Sequence, residues 1–298
     1  MDTQLKIQFV EFKEFEGEGH LSKQAKKITV LKKGNGKMNF LKLEGKVALV
    51  TGGAQGIGES VVRALSEAGV VVAMLDHNTA KLSSLVNELK SEGRKVEAFP
   101  VDVSDSKAVD TVVDLIEHDI GPIEILVNVA GVLRMGLIQS LSDEDWEKTF
   151  AVNSTGVFNV SRSVSMYMVP RQKGSIVTVG SNSAKVPRIS MAAYAASKAA
   201  STMFTKCLGL ELAQYNIRCN IVSPGSTDTE MQWSLWKDEN GASAAIAGTQ
   251  EAFKVGIPLK KIATPTNIAD AVLFLVSDRA NHITMNDLCV DGGATLGV

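Results

Sequence analysis

The sequence predicts an α/β protein built as one doubly wound domain, with a seven-stranded parallel sheet and helices on both faces. Three observations predict it. Seven short runs rich in Val and Ile alternate with amphipathic stretches. Most of the runs lack polar alternation, as strands buried on both faces do. A glycine-rich turn joins the first run to the first amphipathic stretch.

The runs are "VALVTG" (47–52), "VVVAMLD" (70–76), "VEAFPVD" (96–102), "IEILVNVAG" (123–131), "SIVTVGS" (175–181), "IRCNIVSPG" (217–225) and "DLCVDGG" (287–293). Between them the spacing predicts helices over 57–68, 79–92, 106–118, 142–170, 190–214 and 266–277. This is βαβ repetition, whose right-handed crossovers wind a parallel sheet. In such sheets ligands bind beyond the carboxyl ends of the strands. Each run ends in a residue of interest, so the topology brings those residues together.

Residues 1–37 read differently. They carry eight lysines, no arginine and five acidic residues, without the apolar stretch of a signal peptide and too acidic for a transit peptide. Met38 follows directly and opens "MNFLKLEGKVALVTGG". We expect 1–37 to be an N-terminal extension outside the core, with Met38 the native start, and 38–298 to be one Rossmann-type domain. The alternative is a genuine appended segment using "KIQFVEF" and "KITVLK".

Composition narrows the class. The chain has 298 residues, 45% hydrophobic and 21% charged, with a net charge of −2, which points to neither nucleic acid nor an anionic membrane as partner. No apolar run reaches the length of a membrane span. Cys207, Cys219 and Cys289 form no CxxC pair, and the four histidines lack ligand spacing, so no metal is expected. A cytoplasmic protein is the expectation.

"TGGAQGIG" (51–58) spaces Gly52, Gly56 and Gly58 as G-x3-G-x-G at the strand-to-helix turn, with Gln55 and Ile57 between them. Missing β-carbons let a pyrophosphate approach the backbone and the helix N-terminus. Asp76, 24 residues after Gly52, can accept both hydroxyls of an adenosine ribose and repels a 2′-phosphate. No Arg or Lys stands in the turn "DHNTA", so NAD is expected over NADP. Asp102, with Val103 beside it, is a candidate for the adenine; Asp102 also reads as part of a capping turn. Asn128, Ala130 and Gly131 in "NVAG" leave room for the cofactor, and Asn128 can equally pin neighbouring loops.

Tyr194 and Lys198 in "YAASK" are i and i+4 and share a helical face. Ser181 lies thirteen residues before Tyr194, and Asn153 sits in "VNSTG", where Asn is a poor helix former. Chemistry gives each a task. Tyr194 serves as base, with Lys198 lowering its pKa by charge and holding the nicotinamide ribose. Ser181 orients the substrate hydroxyl and steadies a developing oxyanion. Asn153 holds a water that relays the proton.

These motifs in this order, TGxxxGxG, NxAG, a helical Asn, Ser and YxxxK, resemble the short-chain dehydrogenase/reductase family from about residue 39 onward. Val129 departs from the pattern, since many members carry a second Asn there. The resemblance implies an NAD-dependent oxidoreductase and a homotetramer. "GVLRMG", "AKVPRISMAAYAASK", "SPGSTDTEMQWSLW" and "VGIPLKKIA" are similar to members that oxidise 2,3-dihydro-2,3-dihydroxybenzoate to 2,3-dihydroxybenzoate in siderophore biosynthesis. That implies a small-molecule substrate, a cyclohexadiene diol carboxylate. Arg134 and Arg188 suit its carboxylate; either can also be a solvated loop charge. Pro224, Gly225, Thr227 and Thr229 are candidates for the cofactor, and Met231, with Trp233 and Trp236, for an apolar lid. The alternatives are the same chemistry on a 3-oxoacyl thioester or a polyol, or a non-catalytic NAD-binding sensor.

Overall fold

The computed structural model describes residues 41–236 and 238–297; the expected extension over 1–37 lies outside the described residues. Strand β1 (Val47–Thr51) is buried at all five positions. Ala48 and Val50 pack into one half of the core, Val47 and Leu49 into the other. Successive side chains of a strand point to opposite faces. A strand covered on both sides must therefore be apolar throughout, and this is why the runs show no alternation.

Six further strands flank it: β2 (Val71–Asp76), β3 (Val96–Pro100), β4 (Ile123–Asn128), β5 (Gly174–Val179), β6 (Ile217–Pro224) and β7 (Asp287–Val290). The spatial order is β3-β2-β1-β4-β5-β6-β7, and every pair is parallel. The helices are α1 (Gly56–Glu67), α2 (Thr79–Ser91), α3 (Ser106–Asp119), α4 (Asp143–Phe150), α5 (Val157–Arg171), α6 (Ala192–Leu212), α7 (Glu230–Trp233), α8 (Gly241–Ala247) and α9 (Pro265–Val276).

One face of the sheet is covered by Val61, Val62 and Leu65 of α1, Leu82 and Leu89 of α2, and Val272 and Leu275 of α9. Val109 and Val113 of α3, Val160, Val164 and Met168 of α5, and Leu212 of α6 cover the other. After β3 the chain returns to the far side of β1. The connections leaving the carboxyl ends of β1 and β4 thus run to opposite sides, and a crevice opens where the strand order reverses.

Three local features differ from the expectation. The helix expected over 142–170 is α4 and α5 joined by a π-helical segment, Ala151–Gly156. Strand β3 stops at Pro100, so Asp102 lies in the turn before α3 rather than at a strand end. The sequence reading also missed α7 and α8, whose short lengths leave little periodicity to detect.

Candidate active site

The carboxyl ends of the strands open into a cleft of about 1120 Å³. Its floor begins at the glycine turn. Gly52 has φ +65°, and a Cβ there would stand 2.7 Å from Ala130 Cα. A Cβ on Gly58 would lie 1.9 Å from the Gly52 carbonyl oxygen. Only missing side chains let the turn close on itself and on the loop after β4. The Thr51 hydroxyl accepts hydrogen bonds from the Val129 and Ala130 amides at 3.0 and 3.2 Å, which fixes that loop to β1. No side chain caps α1 at Gln55, so the first-turn N–H groups stay available to an anion.

Asp76 is buried at the end of β2. Its carboxylate accepts the Ala54 amide at 3.1 Å and the Asn78 amide at 2.9 Å. It thereby pins the glycine turn while still lining the cleft. Asp102 lines it too, accepting from Ser104 and facing Lys148 at 3.4 Å. Desolvation pushes its carboxyl up, but the Ser104 hydrogen bonds and the Lys148 charge outweigh this and hold it below the ordinary value.

Lys81, on α2, was not singled out by the sequence reading. Its ammonium donates to Gln55 Oε1 at 2.6 Å and pairs with Glu230 of α7 at 2.7 Å. The pair draws the start of α7 over the glycine turn, where a Cβ on Gly56 would lie 3.3 Å from Thr229 Cγ2.

Lys198 and Tyr194 occupy the first turns of α6, on the cleft wall. Lys198 is buried, and its ammonium donates to the Val179 carbonyl at 2.8 Å. Burial lowers its pKa to about 8. Burial raises the Tyr194 phenol above its ordinary value, opposed by the nearby Ser181 hydroxyl. This differs from the expected lowering by Lys198. The ammonium is aimed at Val179, 5.9 Å from the Tyr194 ring centroid, and desolvation outweighs its influence. Ser181 also meets Ser183, whose hydroxyl lies 2.8 Å away.

Asn153 does not line the cleft. It is fully buried in the π-helical segment. Its Oδ1 accepts the Val132 amide at 2.8 Å, and its Nδ2 donates to the Val132 carbonyl and to Ser197 Oγ. With these partners it holds the loop after β4 against α6. Asn128 is likewise buried behind the cleft, donating to Ser161 Oγ at 2.9 Å, with its Oδ1 unpartnered among the described residues. It ties the end of β4 to α5.

The remaining candidates, Gly52, Gln55, Gly56, Ile57, Gly58, Val103, Ala130, Gly131, Pro224, Gly225, Thr227 and Thr229, all line the cleft, as do Arg134, Arg188 and Met231 on the substrate side. The Gly136 amide donates to the Ser190 carbonyl at 3.0 Å, tying the two arginine-bearing loops together. Lys254, which the sequence reading passed over, and Val255 and Ile257 of the "VGIPLKKIA" stretch complete the rim. Among the described residues no helix is long and apolar enough to cross a membrane, and none form a group of three His, Cys, Asp or Glu suited to a metal ion.

The cradle, the open helix N-terminus and the buried carboxylate at β2 fit a dinucleotide. The comparisons agree. A family model for short chain dehydrogenases matches residues 46–240. The chain is 69% identical, over 88% of its length and 100% of the relative's, to a 2,3-dihydro-2,3-dihydroxybenzoate dehydrogenase of Bacillus subtilis (strain 168). It is 44% identical to one of Escherichia coli (strain K12), over 85% of this chain and 98% of that one. A solved gluconate 5-dehydrogenase from Burkholderia cenocepacia J2315, in complex with NADP and tartrate, superposes with a TM-score of 0.79 at 31% identity, covering 86% of this chain and 97% of that one. With Tyr194, Lys198 and Ser181 gathered at a dinucleotide-shaped cleft, this chain belongs to the short-chain dehydrogenase family.

Proposed function

We propose that the protein oxidises 2,3-dihydro-2,3-dihydroxybenzoate to 2,3-dihydroxybenzoate with NAD⁺. The observation that carries the chemistry is the Tyr194 phenol on the wall of the cleft that Ser181 and Lys198 also line. The substrate reading is supported by the printed activity of the 69% identical relative and by the cationic residues at the cleft's outer end.

A dinucleotide held by the glycine turn and Asp76 would supply the acceptor for the hydride lost by the ring carbinol. Tyr194 takes the hydroxyl proton. Ser181 donates to the phenolate oxygen and steadies the negative charge that develops on the substrate oxygen. Lys198, held by Val179, faces the ribose side of the cleft. Asn153 acts as a positioning residue through Val132 and Ser197. Acid–base help of this kind is worth on the order of 10²–10⁴ in rate. Loss of a second proton from the resulting dienone ring, with protonation of its oxygen, yields the catechol, and aromatisation drives the reaction towards oxidation.

Asp76 favours NAD over NADP, because a buried carboxylate opposes a 2′-phosphate. Lys81 lies nearby, but its charge is engaged by Glu230. The same reading makes the protein a cytoplasmic homotetramer. It also makes residues 38–298 the catalytic domain, with 1–37 outside it; the compactness of residues 39–298 supports that boundary.

The test mixes the protein, NAD⁺ and the dihydrodiol acid and follows NADH with catechol absorbance. Both should rise together. If neither rises while a polyol is oxidised, or a 3-oxoacyl thioester is reduced by NADH, the substrate is wrong although the family stands.

A further inference from the structure

Two cations on the substrate side of the cleft have no acidic partner. Arg188 lies on the loop between Ser181 and Tyr194, and Lys254 closes the segment after α8; both line the cleft. Among the described residues neither makes an ion pair with Asp or Glu. Of the carboxylates beside the apolar wall, Asp228 accepts from Trp233 Nε1 at 2.7 Å, Glu230 pairs with Lys81, and Asp238 accepts the Asn240 amide at 2.8 Å. Arg134, the other sequence candidate, is exposed and turned to Asp145 at 3.5 Å.

Lys254 is held where it stands. It and Thr249 exchange both backbone hydrogen bonds, at 3.0 and 2.9 Å, across a short turn. The residue is exposed at the rim but lines the cleft, where its ammonium is partly desolvated. That desolvation, with repulsion from Arg188, holds it below the ordinary lysine value. Two like charges facing one cavity are unfavourable until an anion enters between them.

We propose that Arg188 and Lys254 together seat the carboxylate of the substrate, and that Lys254 is a specificity-determining residue for acids over uncharged diols. This rests on the reading that the substrate is a cyclohexadiene diol carboxylate. The guanidinium offers a fork for both oxygens, and the ammonium a second charge in the same cleft. Trp236, also lining the cleft, has a buried indole N–H without a partner among the described residues, available as a further donor.

The test compares 2,3-dihydroxybenzoate with catechol, which lacks only the carboxylate, by quenching of tryptophan fluorescence in the presence of NAD⁺. The wild-type protein should bind the acid at least ~10-fold more tightly than catechol, as hydrogen bonds to charged groups predict. Lys254→Gln and Lys254→Met should erase most of that ratio, Lys254→Arg should keep part of it, and catechol binding should stay constant. In turnover, Lys254→Gln should raise KM about 10-fold with kcat nearly unchanged. An unchanged ratio in both neutral variants, or equal weakening of acid and catechol, overturns the proposal. A wild-type protein that shows the ratio but does not oxidise the dihydrodiol keeps the seat and refutes the assigned reaction. One that oxidises it while Lys254→Gln keeps the ratio does the reverse.

Discussion

The Lys198 ammonium on α6 donates a 2.8 Å hydrogen bond to the carbonyl of Val179, the last residue of β5. One interaction thus joins the catalytic helix to the strand that leads to Ser181. It also places a cation in a buried setting, with consequences for stability.

The folded protein holds Lys198 near a pKa of about 8 against an ordinary 10.5. Between those values the unfolded chain binds more protons than the folded one, so this contribution to stability rises with pH across that window. The gain is at most ~3 kcal/mol. Lys198→Met lacks it. Denaturant melts at pH 7.5 and 10 should show the wild-type protein gaining on the variant.

Tyr194 must lose its proton to act, and burial raises its pKa while Ser181 lowers it. Oxidation should therefore speed up towards alkaline pH. Ser181→Ala should move that limb to higher pH and slow turnover by roughly 10²-fold. Tyr194→Phe should remove turnover while leaving dinucleotide affinity intact. Rate profiles of kcat/KM against pH, with NADH titrations, check all three outcomes. An unshifted limb in Ser181→Ala would separate the serine from the base.

Asp76 both supports the Ala54 amide and lines the cleft. Asp76→Ser should weaken NADH binding by roughly 10-fold or more and affect NADPH much less, narrowing the preference. Fluorescence titration with the two coenzymes measures it. A parallel loss for both would mean that the carboxylate only shapes the turn.

A Cβ on Gly58 meets the Gly52 carbonyl oxygen at 1.9 Å, whereas on Gly53 it meets side chains of Met74 and Val62 at 3.3 Å. Backbone cannot yield as side chains can. Gly58→Ala should cost ~1–3 kcal/mol or more and abolish dinucleotide binding, and Gly53→Ala should cost less on both counts. Thermal melts with and without NADH compare the pair.

Much of this was legible because it is local. Val and Ile runs announce strands wherever both faces are covered, and Gly52 and Gly58 announce a turn in which a side chain has no room. YxxxK puts two groups on one helical face without reference to the rest of the fold. The π-helical segment was not legible. It depends on Asn153 reaching both backbone groups of Val132, 21 residues away. The short α7 and α8 carried too little period to be seen.

By itself the sequence determined the parallel α/β architecture, the glycine cradle and the tyrosine–lysine pair, since each follows from spacing, size and covalent geometry within a few residues. Only the tertiary structure decided that Asn153 and Asn128 stand behind the cleft. It alone set Lys81 against Glu230, 149 residues apart, and brought Lys254 and Arg188 to one cleft. Those relationships depend on which strand lies beside which and on how far each loop folds back, and burial then decides the charge that each group can carry.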